Sequence, residues 1–384
     1  MKHPRIQWLQ ISSDEGADVD ADKNNMGLWR NRTSCLISAH PSPTSASAIH
    51  THKLNPDNSS TGREPMYLPL ASRVSGRRTR RGTRANNPQG TAGLGKATIL
   101  ALLAHNPSHI YFSGRSLSSA KALIASVTSS FSSPSTTTTP PPLTFVWMDL
   151  ASLSSIKPAV EASFTHTRLD ILINNAGIMA GPAGLSADGY EIQFATNYLG
   201  HAMLVRALLP VLQRTAALPG SDVRVVNLTS VGYQGHPSDG ISFATLRTTQ
   251  TGLPFLGQWT RYGQSKLANI LFTRELARLH PSITAVAVHP GVVSTGLVTN
   301  QGLLNRLLVN TTNKVMGAPI VTPERGCWNQ VWAAAAAKKG DLVSGGFYMP
   351  VGNLADGKLD KFATDEELAG ELWRWTEDVL AEFD

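Results

Sequence analysis

From about residue 90 onward, short apolar runs alternate with stretches whose apolar residues recur at helical spacing. The strand-like runs are 109–112, 143–148, 169–174, 223–228 and 283–288, and the helical stretches are 91–105, 118–128, 153–164, 189–214 and 261–279. Strands that alternate with helices predict parallel strands joined by helical crossovers. We therefore expect an α/β fold with one doubly wound parallel sheet, in a single domain covering residues 89–384.

Three other segments depart from this alternation. Residues 128–142 are rich in Ser, Thr and Pro, which favours a flexible surface insertion. A last helical stretch, 365–383, carries apolar residues that would cover the core, although an oligomer partner is the alternative. Residues 1–88 are polar and have no sustained period of 2 or 3.6, so we interpret them as a disordered amino-terminal extension.

The net charge of +7 is concentrated in that extension. Residues 1–88 contain 13 Lys and Arg against 7 Asp and Glu, whereas the remaining residues contain 21 against 20. Six arginines lie between residues 73 and 84, and they could bind phosphate backbones or serve as a nuclear signal. A solvated, disordered run is the simpler explanation, and we predict no nucleic-acid partner.

Cysteine content and hydropathy exclude several classes of protein. Cys35 and Cys327 are the only cysteines, so a disulfide framework or a cysteine-rich metal site is excluded, and no metal is predicted. No run approaches 18 apolar residues, and the acidic amino terminus does not resemble a targeting peptide. We expect a soluble, cytoplasmic protein.

Tyr262 and Lys266 are the first candidates for chemistry. They are four residues apart in a helical stretch, so both side chains project from one helix face. A free phenol has a pKa of about 10, and a neighbouring ammonium favours the phenolate and lowers that pKa. Tyr262 is therefore a candidate general acid or base, although Tyr-x-x-x-Lys also occurs by chance on helix surfaces.

A glycine-rich stretch, Gly90-Thr-Ala-Gly-Leu-Gly95, opens the first predicted helix. Small residues at a helix amino terminus let backbone amides approach a pyrophosphate, although glycines also mark ordinary turns. The next strand ends in Ser113-Gly-Arg-Ser116, where a dinucleotide-binding fold places the residue that reads the ribose. No carboxylate is present there, and Arg115 can pair with a 2′-phosphate, so the predicted cofactor is NADP.

Five motifs occur in order on the expected elements, and together they carry a family resemblance. They are Gly93-x-Gly95, Asn174-Asn-Ala-Gly177, Ser230, Tyr262-x-x-x-Lys266 and Pro290-Gly291. With this set the chain resembles the short-chain dehydrogenase/reductase family, over about residues 90–384. Within the family it is most similar to retinol-dehydrogenase-like and fungal carbonyl-reductase-like members, judging from Gly177-Ile-Met, Asn197-Tyr-Leu-Gly-His201 and the residues 289–295.

The resemblance implies an oxidoreductase that interconverts a carbonyl and an alcohol. Tyr262 would exchange a proton with the substrate oxygen, and Lys266 would assist it and hold the nicotinamide ribose. Ser230, or Thr229 if the register differs by one, would hydrogen-bond that oxygen. Asn197 would anchor a water that relays protons to Lys266. Taken singly, Ser230 and Asn197 could equally be a capping residue and a polar core residue.

The resemblance also implies a set of cofactor contacts and a substrate segment. The expected contacts are Gly90, Gly93, Leu94, Gly95, Arg115, Asp149, Leu150, Asn174, Ala176, Gly177, Tyr262, Lys266, Pro290, Gly291, Val293 and Thr295. Residues 296–322 would form a lid over a small substrate, and their many leucines suit a lipophilic one. A helix that merely packs on the sheet would have the same composition. A homo-oligomer is possible, but no feature of the sequence requires one.

One part of the family pattern is absent before residue 90. Alignment on Gly93 and Gly95 places Pro88 and Gln89 where the family has Thr-Gly, and an arginine-rich run where it has a buried strand. Such a run cannot lie in a sheet centre without burying unpaired charge. We expect the first strand to be missing or replaced, through a misplaced exon boundary or a rearranged gene upstream of about Gly90. The alternative function is therefore a catalytically impaired binding or regulatory protein that binds NADP weakly.

Overall fold

A computed structural model describes residues 6–10, 93–131, 142–253, 256–294 and 320–383. Ten strands are defined in these ranges. They are β1 Ile6–Gln10, β2 His109–Gly114, β3 Leu143–Trp147, β4 Ile171–Asn174, β5 Arg224–Leu228, β6 Thr284–Val288, β7 Val292–Val293, β8 Ile320–Val321, β9 Phe347–Met349 and β10 Asn353–Leu354.

The helices alternate with these strands as the sequence predicts. They are α1 Leu94–Leu103, α2 Leu117–Phe131, α3 Leu153–Ser163, α4 Ile192–Phe194, α5 Gly200–Ala216, α6 Gly257–Leu279, α7 Pro323–Gly326, α8 Trp328–Val331 and α9 Glu366–Ala381. A π-helical turn, Ala195–Leu199, joins α4 to α5, so the predicted helix 189–214 is one rod with a widened turn. A second π-helical turn, Trp332–Ala336, follows α8.

Eight strands form one sheet in the order β10-β9-β6-β5-β4-β1-β2-β3. Every neighbouring pair is parallel except β9 and β10. Helices cover both faces, as in a doubly wound fold, and the predicted fold class is confirmed. Because the strands are parallel, the segments that follow β2, β3, β4, β5 and β6 all emerge at the same edge of the sheet.

The central strand corrects the prediction for the amino terminus. Ile6–Gln10 lies between β2 and β4 and pairs with both. These residues were predicted to belong to a disordered extension. Trp8 and Leu9 are fully buried on opposite faces, and Trp8 stacks on Tyr111 with ring centroids 5.4 Å apart. The first strand is therefore replaced rather than missing, and the segment supplying it lies far upstream of the glycine-rich stretch. The rest of residues 1–88 lies outside the described residues.

Two side chains of β1 are polar, which is unfavourable in a strand at the buried centre of a sheet. Gln7 Oε1 and Trp8 Nε1 are buried and have no hydrogen-bond partner within the described part of the chain. A buried polar group without a partner costs about 1–3 kcal/mol, so an all-aliphatic strand would be more stable here. The polar residues of β1 and its distance from Gly90 explain why the sequence pattern did not predict it, since the expected strand is rich in Ile and Val and lies next to the glycines.

The Ser/Thr/Pro insertion begins later than predicted. Helix α2 continues through residues 128–131, and the hydroxyls of Thr128 and Ser129 donate to the carbonyls of Ile124 and Ser126. Such bonds let Ser and Thr occupy the last turn of a helix. Residues 132–141 and 295–319, which hold the rest of the insertion and most of the predicted lid, lie outside the described residues.

The final helix covers the core, as the sequence favoured. Leu372 and Leu380 of α9 are buried in the apolar cluster that also contains α3, α5 and α6. Trp373 stacks on Phe272 of α6, and Thr376 is hydrogen-bonded to Tyr198 at 2.6 Å. None of the described helices is long and apolar enough to cross a membrane.

We predict that Trp8→Ala lowers the free energy of unfolding by about 3–5 kcal/mol, because it leaves a large cavity at the sheet centre. Urea denaturation followed by circular dichroism measures the change. Trp147→Ala is the matched control, since Trp147 is 56% exposed on the edge strand β3 and its loss should cost far less. Equal midpoints for wild type and Trp8→Ala would show that residues 6–10 do not fill the centre of the sheet.

Candidate active site

Tyr262, on α6, and Ser230, directly after β5, both lie against Gly232, where an added Cβ would be 3.1 Å from Tyr262 Cε1 and 3.4 Å from Ser230 Oγ. Ser230 Oγ also accepts from the backbone N–H of Gly232 at 3.1 Å, which fixes its rotamer. Thr229, the alternative in the sequence analysis, is buried and donates its hydroxyl to the carbonyl of Lys266 at 2.8 Å. The geometry therefore favours Ser230 as the hydroxyl available beside Tyr262.

Two glycines allow this close approach. The 3₁₀ turn Val231–Gly235 lies against α6, and a Cβ added to Gly263 would be 2.6 Å from the carbonyl carbon of Gly235. A Cβ on Gly232 would be 3.1 Å from Cε1 of Tyr262. Real Cβ atoms do not tolerate the first distance, so Gly263 sets how near the Ser230 turn lies to the tyrosine helix.

Lys266 lies one turn after Tyr262 on the same face of α6. Its Nζ is 5.7 Å from the centre of the Tyr262 ring and donates to the carbonyl of Leu228 at 3.3 Å. Burial lowers the pKa of Lys266 to about 8, and burial raises the pKa of Tyr262 to about 12, opposed by the Ser230 side chain. The expectation that the ammonium lowers the phenol pKa is wrong for this structure, because desolvation is the largest effect on the pKa of Tyr262 and raises it.

Asn197 lies in the π-helical turn and joins three parts of the site. Its Oδ1 accepts from Ile178 N at 2.7 Å, and its Nδ2 donates to Ile178 O and to Ser265 Oγ, both at 2.9 Å. A Cβ on Gly177 would be 3.0 Å from Asn197 Oδ1 and 3.5 Å from Lys266 Nζ. Asn197 thus holds the turn after β4 beside α6, and π-helical turns often mark such sites.

His201 is a residue at this site that sequence reasoning did not assign a role. Its Nδ1 lies 2.9 Å from the carbonyl of Asn197, so the proton is on Nδ1 and Nε2 is an acceptor. Nε2 is buried and has no partner among the described residues. Burial lowers the pKa of His201 to about 3, which keeps the ring neutral. The sequence signal for this contact is that His201 follows Asn197 by four residues, about one helical turn.

The turn after β4 is fixed by a chain of buried polar groups. Asn174 Nδ2 donates to Asn227 Oδ1 at 2.7 Å, and Asn227 Nδ2 donates to Thr273 Oγ1 at 2.8 Å. The chain crosses from β4 through β5 to α6. It fixes the end of β4, three residues before Gly177, which lies close to Asn197 and Lys266.

Asp149 and Leu150, the two residues of the predicted adenine site after β3, lie against helix α5. Asp149 Oδ1 accepts from Ala151 N at 3.0 Å, and Leu150 is buried. A Cβ on Gly200 would be 2.5 Å from the carbonyl oxygen of Leu150, so α5 can pack here only through a glycine. Asp149 and Leu150 are thereby fixed at the same sheet edge as the turn after β4.

The start of α1 and the end of β2 complete the predicted cofactor path. Gly93 is the N-cap of α1, with no side-chain cap and no acidic residue in the first turn, and a Cβ added to Gly93 would have no neighbour within 4 Å among the residues that the structure describes. Leu94 and Gly95 form the first turn of that helix. Arg115 is exposed directly after β2, and its carbonyl accepts from Trp147 Nε1 at 3.1 Å.

The turn after β6 contains Pro290, Gly291 and Val293. Gly291 has φ +86°, which favours glycine, and Val293 belongs to β7, which pairs with β8. Gly90 and Thr295, the remaining cofactor candidates, lie outside the described residues. Among the described residues, no group of three His, Cys, Asp or Glu could hold a metal ion.

The matching family model and the named relatives indicate the same family. The family model described as short chain dehydrogenase matches residues 89–242. The short-chain dehydrogenase/reductase drtF of Aspergillus calidoustus is 36% identical over 304 residues, covering 76% of this chain and 91% of that protein. Human retinol dehydrogenase 13 is 36% identical over 236 residues, covering 59% and 65%. A solved structure of an uncharacterised protein from Mycobacterium paratuberculosis aligns with TM-score 0.54 and 26% identity, covering 76% and 90%.

We predict that the buried histidines make the fold acid-sensitive. Burial lowers the pKa of His201 to about 3 and that of His289 to about 4, whereas an unfolded histidine titrates near 6.5. Between about pH 6.5 and 4 the unfolded chain binds more protons, so the free energy of unfolding falls as pH falls.

Urea denaturation at pH 7, 6, 5 and 4 should show this slope, and His201→Gln should reduce it by up to about 1.4 kcal/mol per pH unit. His105→Gln, a change at an exposed position, is the control and should leave the slope unchanged. A slope in His201→Gln as steep as in wild type would contradict the assignment of a buried neutral ring.

Proposed function

Since the chain belongs to the short-chain dehydrogenase/reductase family, we propose that it is an NADP(H)-dependent oxidoreductase that interconverts a carbonyl and an alcohol on a small, lipophilic substrate. The family binds a nicotinamide cofactor. The observation that carries the proposal is the Ser230–Tyr262 hydroxyl pair with buried Lys266 and Asn197 beside it.

The residues present fit a dinucleotide. Gly93 is the N-cap of α1 and has no side chain, so the backbone N–H groups of the first turn could bind a pyrophosphate. Asp149 and the turn after β4 follow neighbouring parallel strands of the same sheet and would hold the adenosine. The nicotinamide would supply or accept the hydride, with Lys266 and the Pro290–Gly291 turn as its expected holders.

In the reductive direction Tyr262 donates a proton to the substrate oxygen. Its pKa of about 12 keeps the phenol protonated near neutrality, so the proton to be donated is present before the reaction. Ser230 donates a hydrogen bond to the same oxygen and stabilises the charge that develops there. The Lys266 ammonium, with a pKa of about 8, stabilises the phenolate that Tyr262 becomes, and Asn197 would support the return of a proton through Lys266.

Arg115 is the basis for proposing NADP rather than NAD. It follows β2, where the ribose of a dinucleotide lies in this fold, and Ser113–Ser116 contains no carboxylate that would hydrogen-bond a free 2′-hydroxyl. An exposed guanidinium at that position can bind a 2′-phosphate through charge-assisted hydrogen bonds.

Three observations support a lipophilic substrate. The segment 296–322 is rich in leucine, and one relative is named a retinol dehydrogenase. Trp259 packs edge-on to the Tyr262 ring at 6.3 Å between centroids, which gives the site an aromatic wall.

The competing proposal is a catalytically impaired binding or regulatory protein. Its main support was the absent first strand, and β1 removes that reason. The replacement of the first glycine by Gln89 remains in its favour. Titration of NADPH into the purified chain separates the two proposals, because an impaired protein should not bind it in the micromolar range.

We predict that Tyr262→Phe lowers kcat/KM for carbonyl reduction by about 10²–10⁴-fold, because the proton donor is lost while the ring remains. The Kd for NADPH should stay within about twofold of wild type, as the phenol is not a main cofactor anchor. Tyr233→Phe is the matched control, since Tyr233 hydrogen-bonds Asp360 N rather than the site. Retained activity in Tyr262→Phe would overturn the mechanism.

We predict that Arg115→Ala raises the Kd for NADPH by about 10–100-fold and leaves the Kd for NADH within about threefold, because only NADPH has the 2′-phosphate. Fluorescence titration measures both constants. Lys121→Ala, a loss of positive charge at an exposed position of α2, is the control. An equal loss for the two cofactors would show that Arg115 does not read the phosphate.

A further inference from the structure

Asn329, in α8, is a buried amide that joins the ends of two strands. Its Nδ2 donates to His289 O at 2.7 Å and to Tyr348 O at 3.0 Å, and its Oδ1 accepts from Gly352 N at 2.9 Å. His289 directly precedes the Pro290–Gly291 turn. Asn329 therefore fixes that turn relative to β9 and to the backbone that follows β9.

Gln330, the next residue, reaches the other half of the predicted cofactor path. Its Nε2 donates to Thr98 Oγ1 of α1 at 3.0 Å and lies 3.5 Å from Asn175 Oδ1 in the turn after β4. Thr98 Oγ1 in turn donates to the carbonyl of Leu94, the first residue of α1, at 2.7 Å. Two consecutive side chains thus contact three of the segments to which cofactor contacts are assigned, namely α1, the turn after β4 and the turn after β6.

Stability alone does not account for a glutamine at this position. Gln330 is fully buried, and its Oε1 has no hydrogen-bond partner among the described residues. An unpartnered buried acceptor destabilises a fold, and a methionine of similar length would avoid that penalty. The retained amide is explained if its contacts with Thr98 and Asn175 serve the ligand.

We propose that Asn329 and Gln330 are positioning residues for the dinucleotide. Gln330 sets the distance between the amino terminus of α1 and the turn after β4, which bind the adenosine and pyrophosphate half. Asn329 sets the turn after β6, which binds the nicotinamide half. This inference rests on the proposed function, because it assumes that the three segments bind one NADP(H).

The first test uses Gln330→Met and two probes, NADPH and adenosine 2′,5′-bisphosphate, which represents the phosphorylated half alone. We expect Gln330→Met to weaken both by about fivefold or more, with kcat at saturating NADPH within about threefold of wild type. The thermal midpoint should change little, because the lost hydrogen bonds are offset by removal of the unpartnered acceptor. Gln213→Met on α5 is the matched control, since Gln213 contacts His280 far from these segments.

Thr98→Val is an independent variant should Gln330→Met fold poorly. It removes the hydroxyl that accepts from Gln330 and should reproduce the weaker binding of both probes, whereas Thr98→Ser keeps a hydroxyl and should restore it. Asn329→Ala should weaken NADPH by about fivefold or more but leave the bisphosphate within about twofold, because its contacts lie at the nicotinamide end.

The outcomes separate this inference from the proposed function. If wild type binds neither probe, the proposed function fails. If wild type binds both, and Gln330→Met and Thr98→Val bind both as tightly as wild type, the positioning role is wrong whatever their thermal midpoints. The same holds if Asn329→Ala weakens both probes equally, since the two halves would then not be held separately.

Discussion

The pairing of Ile6–Gln10 with β2 and β4 is the constraint on which the rest of the structure depends. Without a strand there, β2 and β3 with their helices would have no hydrogen-bonded connection to β4, β5 and β6. The two apolar clusters meet at this strand, because Trp8 belongs to one and Leu9 to the other. The site inherits this dependence, since Arg115 and Asp149 lie on one side of β1 and Ser230 and Tyr262 on the other.

Close backbone approach brings the site together at several points. Gly200 lets α5 contact Leu150, Gly263 lets α6 contact the Ser230 turn, and Gly177 lets the turn after β4 contact Asn197. At Gly200 and Gly263 an added Cβ would be 2.5 and 2.6 Å from backbone atoms, so helix packing sets the distances there, and at Gly177 a Cβ would be 3.0 Å from Asn197 Oδ1. The π-helical turn at Ala195–Leu199 contains Asn197, whose side chain is hydrogen-bonded to Ile178 and Ser265.

Desolvation governs the charges of this site more than pairwise attraction does. Tyr262, Lys266, His201 and His289 all have pKa values displaced toward the neutral form by burial. Near neutrality the phenol therefore keeps its proton, and the ammonium of Lys266, whose pKa is about 8, is still mostly charged. The spacing of Tyr262 and Lys266 predicted the partners correctly, but the direction of the tyrosine shift depended on burial, which spacing does not show.

The sequence by itself determined the alternation of elements, the fold class and the residues that meet at the sheet edge. Apolar periodicity and the positions after each strand are local properties, and parallel strands then bring those positions together. Only the tertiary structure decided that residues 6–10 fill the central position, because strand pairing across a long chain separation leaves no local signal. It also decided that Ser230 rather than Thr229 lies beside Tyr262, which residues Asn329 and Gln330 contact, and in which direction the pKa of Tyr262 shifts. Each of these depends on which atoms are close in space and how far they are from water.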